Sequence, residues 1–412
     1  MFLTLFLKEC KATLKSITYY IFIACLVIFY VSQMSEFQPL SKPEKGSDDY
    51  GVTISTQKDM IINKTLDDLL FQYYSNSYPT YPIGFYKEII LNQEKQDKVA
   101  GYIESLTGTK KNQIKEKLDA YYSESLSGQT QETDGTGLHL KTDINYEKFL
   151  DIMGNIDKLL GGKSSFERQK VETGVTVSRT YEQAMQEYRD IIEKDGVTNA
   201  YARLYCDYMG LLLGILPVFL AIARQLRDKR AKVAEVIYSK SSPAYKVILS
   251  RFLANAVMIL IPLLVIGLFP FSQSVYQAGY LMADADLLAF VKYTLGWLMP
   301  TALFTLAVGF LFTELSNSVL AAFIQGIIWF TAIFAATYNL VGHVGMNLIP
   351  RFNNLGNYEI YKKIFPELLK NRVGYTIISV ILVLLTIWIY SIKRKGGMIR
   401  HGKAAADLES KL

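Results

Sequence analysis

The apolar residues of this 412-residue chain are gathered into six long blocks rather than spread at helical or strand periods. A helix needs ~20 mostly apolar residues to cross the hydrocarbon core of a bilayer. Only helices and closed barrels satisfy every backbone polar group in lipid, and the alternating pattern of a membrane barrel is absent from the sequence. We therefore predict an all-α polytopic membrane protein with six transmembrane helices. The blocks are Ser16–Met34, Leu204–Ala223, Val247–Pro270, Leu287–Phe312, Ser318–Leu340 and Val373–Ile392.

The first block also has features of an export signal. No small-x-small cleavage site follows it, and apolar residues continue to Val31, which favours a retained helix. The stretch FIAC, which ends at Cys25, resembles a lipoprotein processing site, but apolar residues rather than a polar tether follow it. We interpret residues 1–34 as an amphipathic N-terminal segment and the first transmembrane helix.

Lys and Arg side chains mark one face of the predicted membrane domain. They are concentrated before the first block, in the stretch 224–243 and in the tail 393–412. Cytoplasmic flanks carry an excess of Lys and Arg, and these three flanks fall on one side if all six blocks cross. We therefore predict a cell-membrane protein with both termini in the cytoplasm. The loop 271–286 has no Lys or Arg, as an outer loop should, whereas residues 341–372 carry five and fit this orientation less well.

Residues 35–203 separate the first two blocks and are strongly polar. They hold 27 acidic and 21 basic side chains, whereas the rest of the chain holds 11 acidic and 23 basic ones. The basic excess therefore belongs to flanks that lie near anionic lipid, and no nucleic-acid partner is expected. The insertion is long enough for a folded domain, which we predict to be extracellular and mainly helical. Residues 204–392 then form the second to sixth transmembrane helices.

Helical periodicity recurs through the insertion. The stretch GVTIS at 51–55 is its best strand candidate, and SGQTQETDGTGLH at 127–139 is a predicted loop. The tyrosine-rich stretch YYSNSYPTYPIGFY at 73–86 has two interpretations. Its rings either close a small helical core or form an aromatic surface that meets a peptide or lipid. The predicted helices are Lys58–Tyr74, Lys95–Leu106, Asn112–Leu126, Asn145–Leu160 and Tyr181–Lys194.

The sequence has no complete motif for catalysis, metal binding or nucleotide binding. The stretch GGKS at 161–164 lacks the Gly that a phosphate loop needs at position 157, where this chain has Asp157. A helix stop at Gly161 explains this stretch. The three His and three Cys residues show no metal-ligand spacing and no disulfide pattern. We therefore predict no enzyme activity, no cofactor and no bound metal.

A few polar residues and prolines interrupt the apolar blocks. Lys292 and Arg251 lie near block ends and are expected to reach the membrane interface. Pro217, Pro262 and Pro300 are predicted to kink their helices. No cluster of charges within the blocks marks an ion pathway.

The stretch 224–243 has the pattern of an amphipathic helix at the inner membrane surface. Leu226, Val233, Ile237 and Tyr238 fall on one face, and basic residues spread over the rest. Two interpretations follow from this pattern. The stretch is either a lipid-surface anchor or charged turn, or a docking helix that passes motion from a soluble partner to the membrane helices.

The order of these elements resembles the permease subunits of type-two ATP-binding cassette (ABC) exporters. The cytoplasmic loop of that family reads Gly-Thr-x-Glu, then Pro six residues after the Glu, then Gly-Lys at the next span. In this chain Glu235 matches the Glu. Ser241 takes the Pro position shortly before Pro243, Ser250-Arg251 stands for Gly-Lys, and Lys232-Val233 replaces Gly-Thr.

Two more stretches resemble that family. Residues 310–323 are similar to its inner turn between the fourth and fifth spans, and residues 348–356 to its outer segment before the last span. The resemblance implies a separate soluble ATPase subunit, and a pair of identical or different permeases. It also implies outward movement of a peptide, lipid or other amphipathic substrate. The residues that would couple to the ATPase are Leu226, Val233, Glu235, Ile237 and Tyr238.

Two other classes of function stay open at this point. One is a membrane sensor or immunity module, in which the extracellular domain binds a peptide without export. The other is an envelope-assembly scaffold with a large outer domain. An adjacent gene for a soluble ATPase would favour the exporter, and a neighbouring histidine kinase would favour the sensor.

Overall fold

In the computed structural model of the chain, 73% of the residues are helical and 4% are in strands. The prediction of a mainly helical protein is therefore confirmed, with short strands as the exception. The residues that the structure describes are 2–34, 36–82, 86–126, 136–231, 242–337 and 344–409. They fall into two compact units, which are Met1–Lys42 with Met185–Leu412, and Pro43–Ala184.

The helices and strands are numbered in chain order. The helices are α1 Phe2–Leu14, α2 Ile17–Met34, α3 Lys58–Ser75, α4 Gln93–Thr107, α5 Lys111–Leu126, α6 Tyr146–Leu160, α7 Arg168–Thr173, α8 Tyr181–Asp190, α9 Val197–Leu213, α10 Pro217–Arg230, α11 Ala244–Tyr280, α12 Ala289–Tyr293, α13 Met299–Ser316, α14 Leu320–Thr337 and α15 Tyr358–Glu409. Two π-helical turns, Ile191–Asp195 and Thr294–Leu298, precede α9 and α13. The strands are β1 Val52–Ser55, β2 Tyr78–Thr80, β3 Lys87–Ile89 and β4 Val175–Ser178.

The first unit is a helical bundle with several long apolar helices. Four helices are long and apolar enough to cross a membrane: Ile17–Met34, Ala244–Tyr280, Ala289–Ser316 and Tyr358–Lys395. They overlap the first, third, fourth and sixth predicted blocks, so the prediction of a multi-pass helical membrane protein holds at this level. The helix of the third block, α11, is longer than that block. Residues 271–280, which the sequence assigned to a loop, are helical.

The second predicted block is broken. Its helices Val197–Leu213 and Pro217–Asp228 meet at a bend of 42°. Pro217 has no N–H to donate and is favoured in the first turn of a new helix. At the break, the Gly214 carbonyl accepts a hydrogen bond of 2.6 Å from Gln325 Nε2 and one of 3.3 Å from Thr305 Oγ1. Side chains of neighbouring helices thus satisfy backbone groups that the break exposes, as an apolar environment requires.

The fifth predicted block is also shorter than expected. Its apolar helical part runs over Leu320–Phe334, which is below the length of a candidate span. Residues 338–340, the end of the predicted block, lie outside the described residues. The described part of the chain therefore has four candidate spans, or five when the bent pair α9–α10 is counted as one. The prediction of six spans is not confirmed.

The core of this unit lies where α9, α11 and α13 pack together. Tyr205 and Met209 of α9, Leu263 of α11 and Phe310 of α13 are all buried in one apolar cluster. The buried Tyr205 hydroxyl donates a hydrogen bond of 2.7 Å to the Leu263 carbonyl. A buried phenol needs such an acceptor, since an unpaired hydroxyl in an apolar site is costly.

The second unit has its own apolar core of helices, with two small antiparallel sheets. Val52 pairs with Ser178 in the first sheet, and Tyr78 pairs with Ile89 in the second. The strand predicted at 51–55 is confirmed as β1. All five helices predicted in the insertion are present to within a few residues, although the last one ends in a π-helical turn. Most of the predicted loop 127–139 lies outside the described residues.

The GGKS stretch ends a helix, as predicted. Gly161 has a positive φ of 95°, which a residue with a side chain rarely adopts, and it closes α6. The carboxylate of Asp157 accepts hydrogen bonds from the backbone N–H of Ser164 at 2.8 Å and from its hydroxyl at 2.7 Å. A carboxylate therefore receives the donors that a phosphate loop would offer to a nucleotide.

The tyrosine-rich stretch 73–86 supports both of its interpretations in part. Tyr78 is fully buried, and its hydroxyl donates a hydrogen bond of 2.7 Å to Gln96 Oε1. Burial raises the pKa of Tyr78 well above its ordinary value. Tyr86, by contrast, is 63% exposed. One ring thus closes the core while another lies on the surface, and residues 83–85 are outside the described residues.

Candidate functional site: a buried ion network beside the predicted coupling segment

Four charged side chains from three helices meet in the first unit. Glu9 lies on α1, Arg224 and Asp228 lie one turn apart on α10, and Arg251 lies on α11. Arg224 donates two hydrogen bonds to Glu9, of which the bond from Nη2 to Oε1 measures 2.6 Å. Arg224 Nη1 also reaches Asp228 Oδ1 at 3.3 Å, and Arg251 Nη2 donates to Asp228 Oδ2. We call these four residues the ion network.

The ion network is largely removed from water. The four side chains expose 14% (Glu9), 10% (Arg224), 16% (Asp228) and 6% (Arg251) of their surface. Two acids balance two bases, so the group is neutral as a whole. Removing one member would leave an uncompensated buried charge, which is strongly destabilising. The network is therefore a rigid tie between three helices rather than a set of exposed surface pairs.

A second set of contacts joins α10 to α13 and α15. Gln225 Nε2 donates a hydrogen bond of 3.3 Å to Glu314 Oε2 on α13. Lys393 of α15 lies 3.6 Å from the other carboxylate oxygen of Glu314 and donates a 3.0 Å bond to Asn317 Oδ1. Glu314 is 4% exposed. The last turns of α10 are thus tied by polar contacts to α1, α11 and α13, and through Glu314 to α15.

Leu226 lies between these polar contacts on another face of α10. Its side chain is 7% exposed and packs in a small apolar cluster with Val218, Ile222 and Ala321. Leu226 is the single predicted coupling residue for which the structure gives a position. The other four, Val233, Glu235, Ile237 and Tyr238, lie outside the described residues. Their role in coupling stays a prediction.

Residues of the ion network lie on both sides of residues 232–241 of the predicted coupling segment in the sequence. Residues 232–241, which are not described, connect α10 to α11. Asp228 precedes that connection, Arg251 follows it, and the two side chains bond to each other. The helices on either side of this connection are therefore held together by one group of charges.

Sequence reasoning missed most of the ion network. Arg251 was expected to reach the interface, but it is buried and paired. Glu9 attracted no attention, although it is the single acid among the lysines that precede the first block. The spacing of Arg224 and Asp228 was a usable signal, because residues four apart on a helix face each other. No spacing rule could reveal that Glu9 meets them, since α1 is far from α10 in the sequence.

Other charges are buried elsewhere in the bundle. Arg203 forms a two-point pair with Asp195, at 3.1 and 2.7 Å, and both side chains are almost fully buried. Asp207, inside the second predicted block, accepts from Arg351 Nε at 3.0 Å. Asp207 was not singled out from the sequence, and its partner Arg351 lies outside the predicted blocks. Each acid has a cation partner, which is how ionisable groups are retained in such surroundings.

Groups that could hold a metal ion are not found in the part of the chain that the structure describes. Cys10, Cys25 and Cys206 are free thiols, and Cys206 is buried. The carboxylates of the ion network already accept hydrogen bonds from guanidinium groups. Within the described ranges, these pairings hold the three helices in position.

The chain matches no protein-family model, no curated protein and no solved structure. The helix order and the ion network therefore carry the functional argument.

Proposed function

We propose that this chain is the membrane-spanning permease subunit of an ABC exporter. It would move a peptide, a lipid or another amphipathic substrate out of the cell, using ATP that a separate soluble subunit hydrolyses. The observation that carries the proposal is the ion network, which joins the helices on either side of residues 232–241 to α1. The sequence resemblance around Glu235 supports it independently.

The proposal gives the chain six crossings of the cell membrane. Four are the candidate spans, the bent pair α9–α10 is a fifth, and α14 is the sixth. Both termini lie in the cytoplasm, and residues 35–203 form an extracellular domain. The support is the distribution of Lys and Arg, which are dense before α2, between α10 and α11, and after residue 392.

In the proposed exporter, the ion network would transmit ATP-driven motion from the partner subunits to the membrane helices. ATP-driven closure of the partner subunits would push residues 224–243, where Val233, Glu235, Ile237 and Tyr238 form the proposed contact face. Leu226 would act through packing, because its side chain is buried against Ala321 of α14. Since a packed interface has discrete arrangements rather than continuous ones, the push would move α1, α10 and α11 as one body.

The proposed pump contains two permeases and two ATPases. The second permease is either another copy of this chain or a related chain, and membrane lipids surround both. No nucleic acid takes part, and this chain itself carries no nucleotide site. The occupied donors at Ser164 support that last point, because Asp157 already accepts them.

An assay of ATP hydrolysis tests the proposal. The chain is purified in lipid nanodiscs, alone and after co-expression with a candidate soluble ATPase subunit from the same organism. We expect vanadate-sensitive hydrolysis in the second sample alone. Robust hydrolysis by the pure chain would contradict the proposal. Peptide binding to the polar insertion, without any ATPase partner, would favour the sensor or immunity module instead.

A further inference from the structure

A cleft of 470 Å³ opens at the side of the first unit. It lies between the π-helical turn Ile191–Asp195, the segment from α12 to α13, and the first turns of α15. Its volume is in the range of ligand sites, which are mostly apolar with a few placed polar groups. Its apolar lining includes Tyr293, Trp297, Tyr361, Phe365, Leu368 and Leu369.

Both π-helical turns of the described chain border this cleft. Lys194 and Asp195 come from the first turn, and Gly296 and Trp297 come from the second. π-helical turns are rare, and they occur frequently at functional sites. Two of them at one cleft indicate that the local backbone is shaped for more than helix packing.

Arg372 closes one part of the cleft and has no acidic partner. Its guanidinium donates to the Trp297 carbonyl at 3.1 Å, to Thr301 Oγ1 at 2.7 Å and to the Leu348 carbonyl at 3.1 Å. Every acceptor is neutral, and no carboxylate pairs with it in the described ranges. Four other arginines of the bundle, Arg203, Arg224, Arg251 and Arg351, each pair with an acid. The cleft thus contains a buried positive charge without a counter-ion, which favours an anion nearby.

Two more groups of the cleft are unsatisfied. Trp297 is 4% exposed, and its indole N–H has no hydrogen-bond acceptor. Lys362 is exposed at the rim and forms no ion pair with any residue that the structure describes. A buried donor without an acceptor requires an explanation. A purely apolar ligand would offer no acceptor to this N–H.

The two other lysines of the rim are already engaged. Lys292 Nζ lies 2.7 Å from Asp286 Oδ2, and Lys194 lies 2.9 Å from Glu359 Oε1. The hydrogen bond from Lys292 lowers the pKa of Asp286 below its ordinary value. Asp195, the acid in the lining, is taken by Arg203. The residues that line the cleft therefore carry an excess of positive charge, from Lys362 and Arg372.

We propose that this cleft binds one anionic phospholipid from the surrounding bilayer. An acyl chain lies among the aromatic and aliphatic side chains, and the phosphate lies near Lys362 and the unpaired charge of Arg372. The phosphate would supply the negative charge that Arg372 lacks among the described residues, and an acceptor for the Trp297 indole N–H. This site does not depend on the chain being an exporter, since it requires a membrane and nothing else.

Lipid retention tests the charged part of the site. The full chain is released from nanodiscs of equal phosphatidylglycerol and phosphatidylcholine, and bound lipid is counted by native mass spectrometry. We expect a preference for one phosphatidylglycerol. Lys362→Gln should weaken that binding about fivefold, the effect of one basic residue near an anionic lipid. Lys363→Gln is the matched control, because Lys363 is also exposed but does not line the cleft.

A second pair of variants tests the apolar part. Gly296 lines the cleft, and a Cβ there would meet open space, so Gly296→Phe is chosen to place a bulky ring in the cleft. Gly326→Phe on α14 is the control, since a Cβ at Gly326 also meets open space. We expect Gly296→Phe to abolish the retained phosphatidylglycerol and Gly326→Phe to leave it unchanged.

Three results would overturn the proposal. One is equal retention of both lipids by the wild-type chain. Another is an equal loss in the Lys362 and Lys363 variants, which would indicate attraction to the surface in general. The third is full displacement of the lipid by soluble glycerol phosphate, which would indicate a site for a free phosphate ester.

Discussion

Arg224 donates hydrogen bonds from two nitrogen atoms to the carboxylate of Glu9. This pair joins α1 to α10, the helix that precedes residues 232–241. The same guanidinium reaches Asp228, which in turn accepts from Arg251. The N-terminal segment is therefore part of the packed bundle. In the proposed exporter, it is one of the elements that a partner subunit would move.

Loss of Glu9 should destabilise the bundle strongly. Glu9→Gln leaves Arg224 buried with reduced compensation, and breaking a buried ion pair costs about 3–5 kcal/mol. Unfolding in mixed micelles measures the change in free energy. Lys8→Gln is the matched control, because Lys8 is exposed on the same helix. Pairing Glu9→Gln with Arg224→Met should recover part of the loss, since an apolar replacement removes the unpaired charge. Additive losses in the double variant would contradict this account of the ion network.

The break between α9 and α10 should depend on Gln325. Gln325→Leu removes the 2.6 Å bond to the Gly214 carbonyl and leaves it the longer bond from Thr305, and the loss of one such hydrogen bond costs about 0.5–1.5 kcal/mol. Hydrogen exchange around residues 211–220 should rise while the rest of the bundle stays protected. Thr331→Val on the same helix is the control, because Thr331 bonds only within α14 and is exposed. Equal effects from both variants would show that the break is stabilised by other contacts.

Asp157 should stabilise the end of α6 and take no part in nucleotide binding. Asp157→Ala removes the acceptor for two donors of Ser164, at a cost of about 1–3 kcal/mol. Faster hydrogen exchange over residues 146–166 of the full chain measures it. Asp151→Ala is the control, because its bond to Arg168 is exposed and worth about 0–1 kcal/mol. Tight ATP binding by the wild-type chain, lost in the GGKS stretch variants, would reverse this interpretation.

The orientation of the chain can be read by cysteine labelling. In a background without Cys10, Cys25 and Cys206, Gln169→Cys should react with a membrane-impermeant maleimide on intact cells. Lys395→Cys should react only after lysis. Both positions are exposed in the structure, so a difference in labelling reports the membrane barrier. The reverse pattern would place the insertion in the cytoplasm and remove the basis of the proposed topology.

Helix positions were predictable because apolar length and periodicity act locally. The blocks around α2, α11, α13 and α15 and the helices of the insertion follow from such patterns. The break at Gly214 was not predictable, because its carbonyl is satisfied by Gln325, which is distant in the sequence. Glu9 and Arg372 were missed for the same reason. Their environments are built by other helices, and hydropathy treats each segment alone.

Affinity purification tests the proposed coupling most directly. The full chain is isolated from its own membrane in mild detergent, and the polypeptides that accompany it are identified. We predict that a soluble ATPase subunit co-purifies with the wild-type chain and with Lys232→Gln, since the sequence pattern assigns Lys232 to the charged face of the segment. Glu235→Lys and Ile237→Asp should insert normally but lose the subunit, at a cost of about 2–5 kcal/mol for a disrupted partly buried contact. Absence of any ATPase from the wild-type sample, or its full recovery with both face variants and loss with Lys232→Gln, would contradict the account.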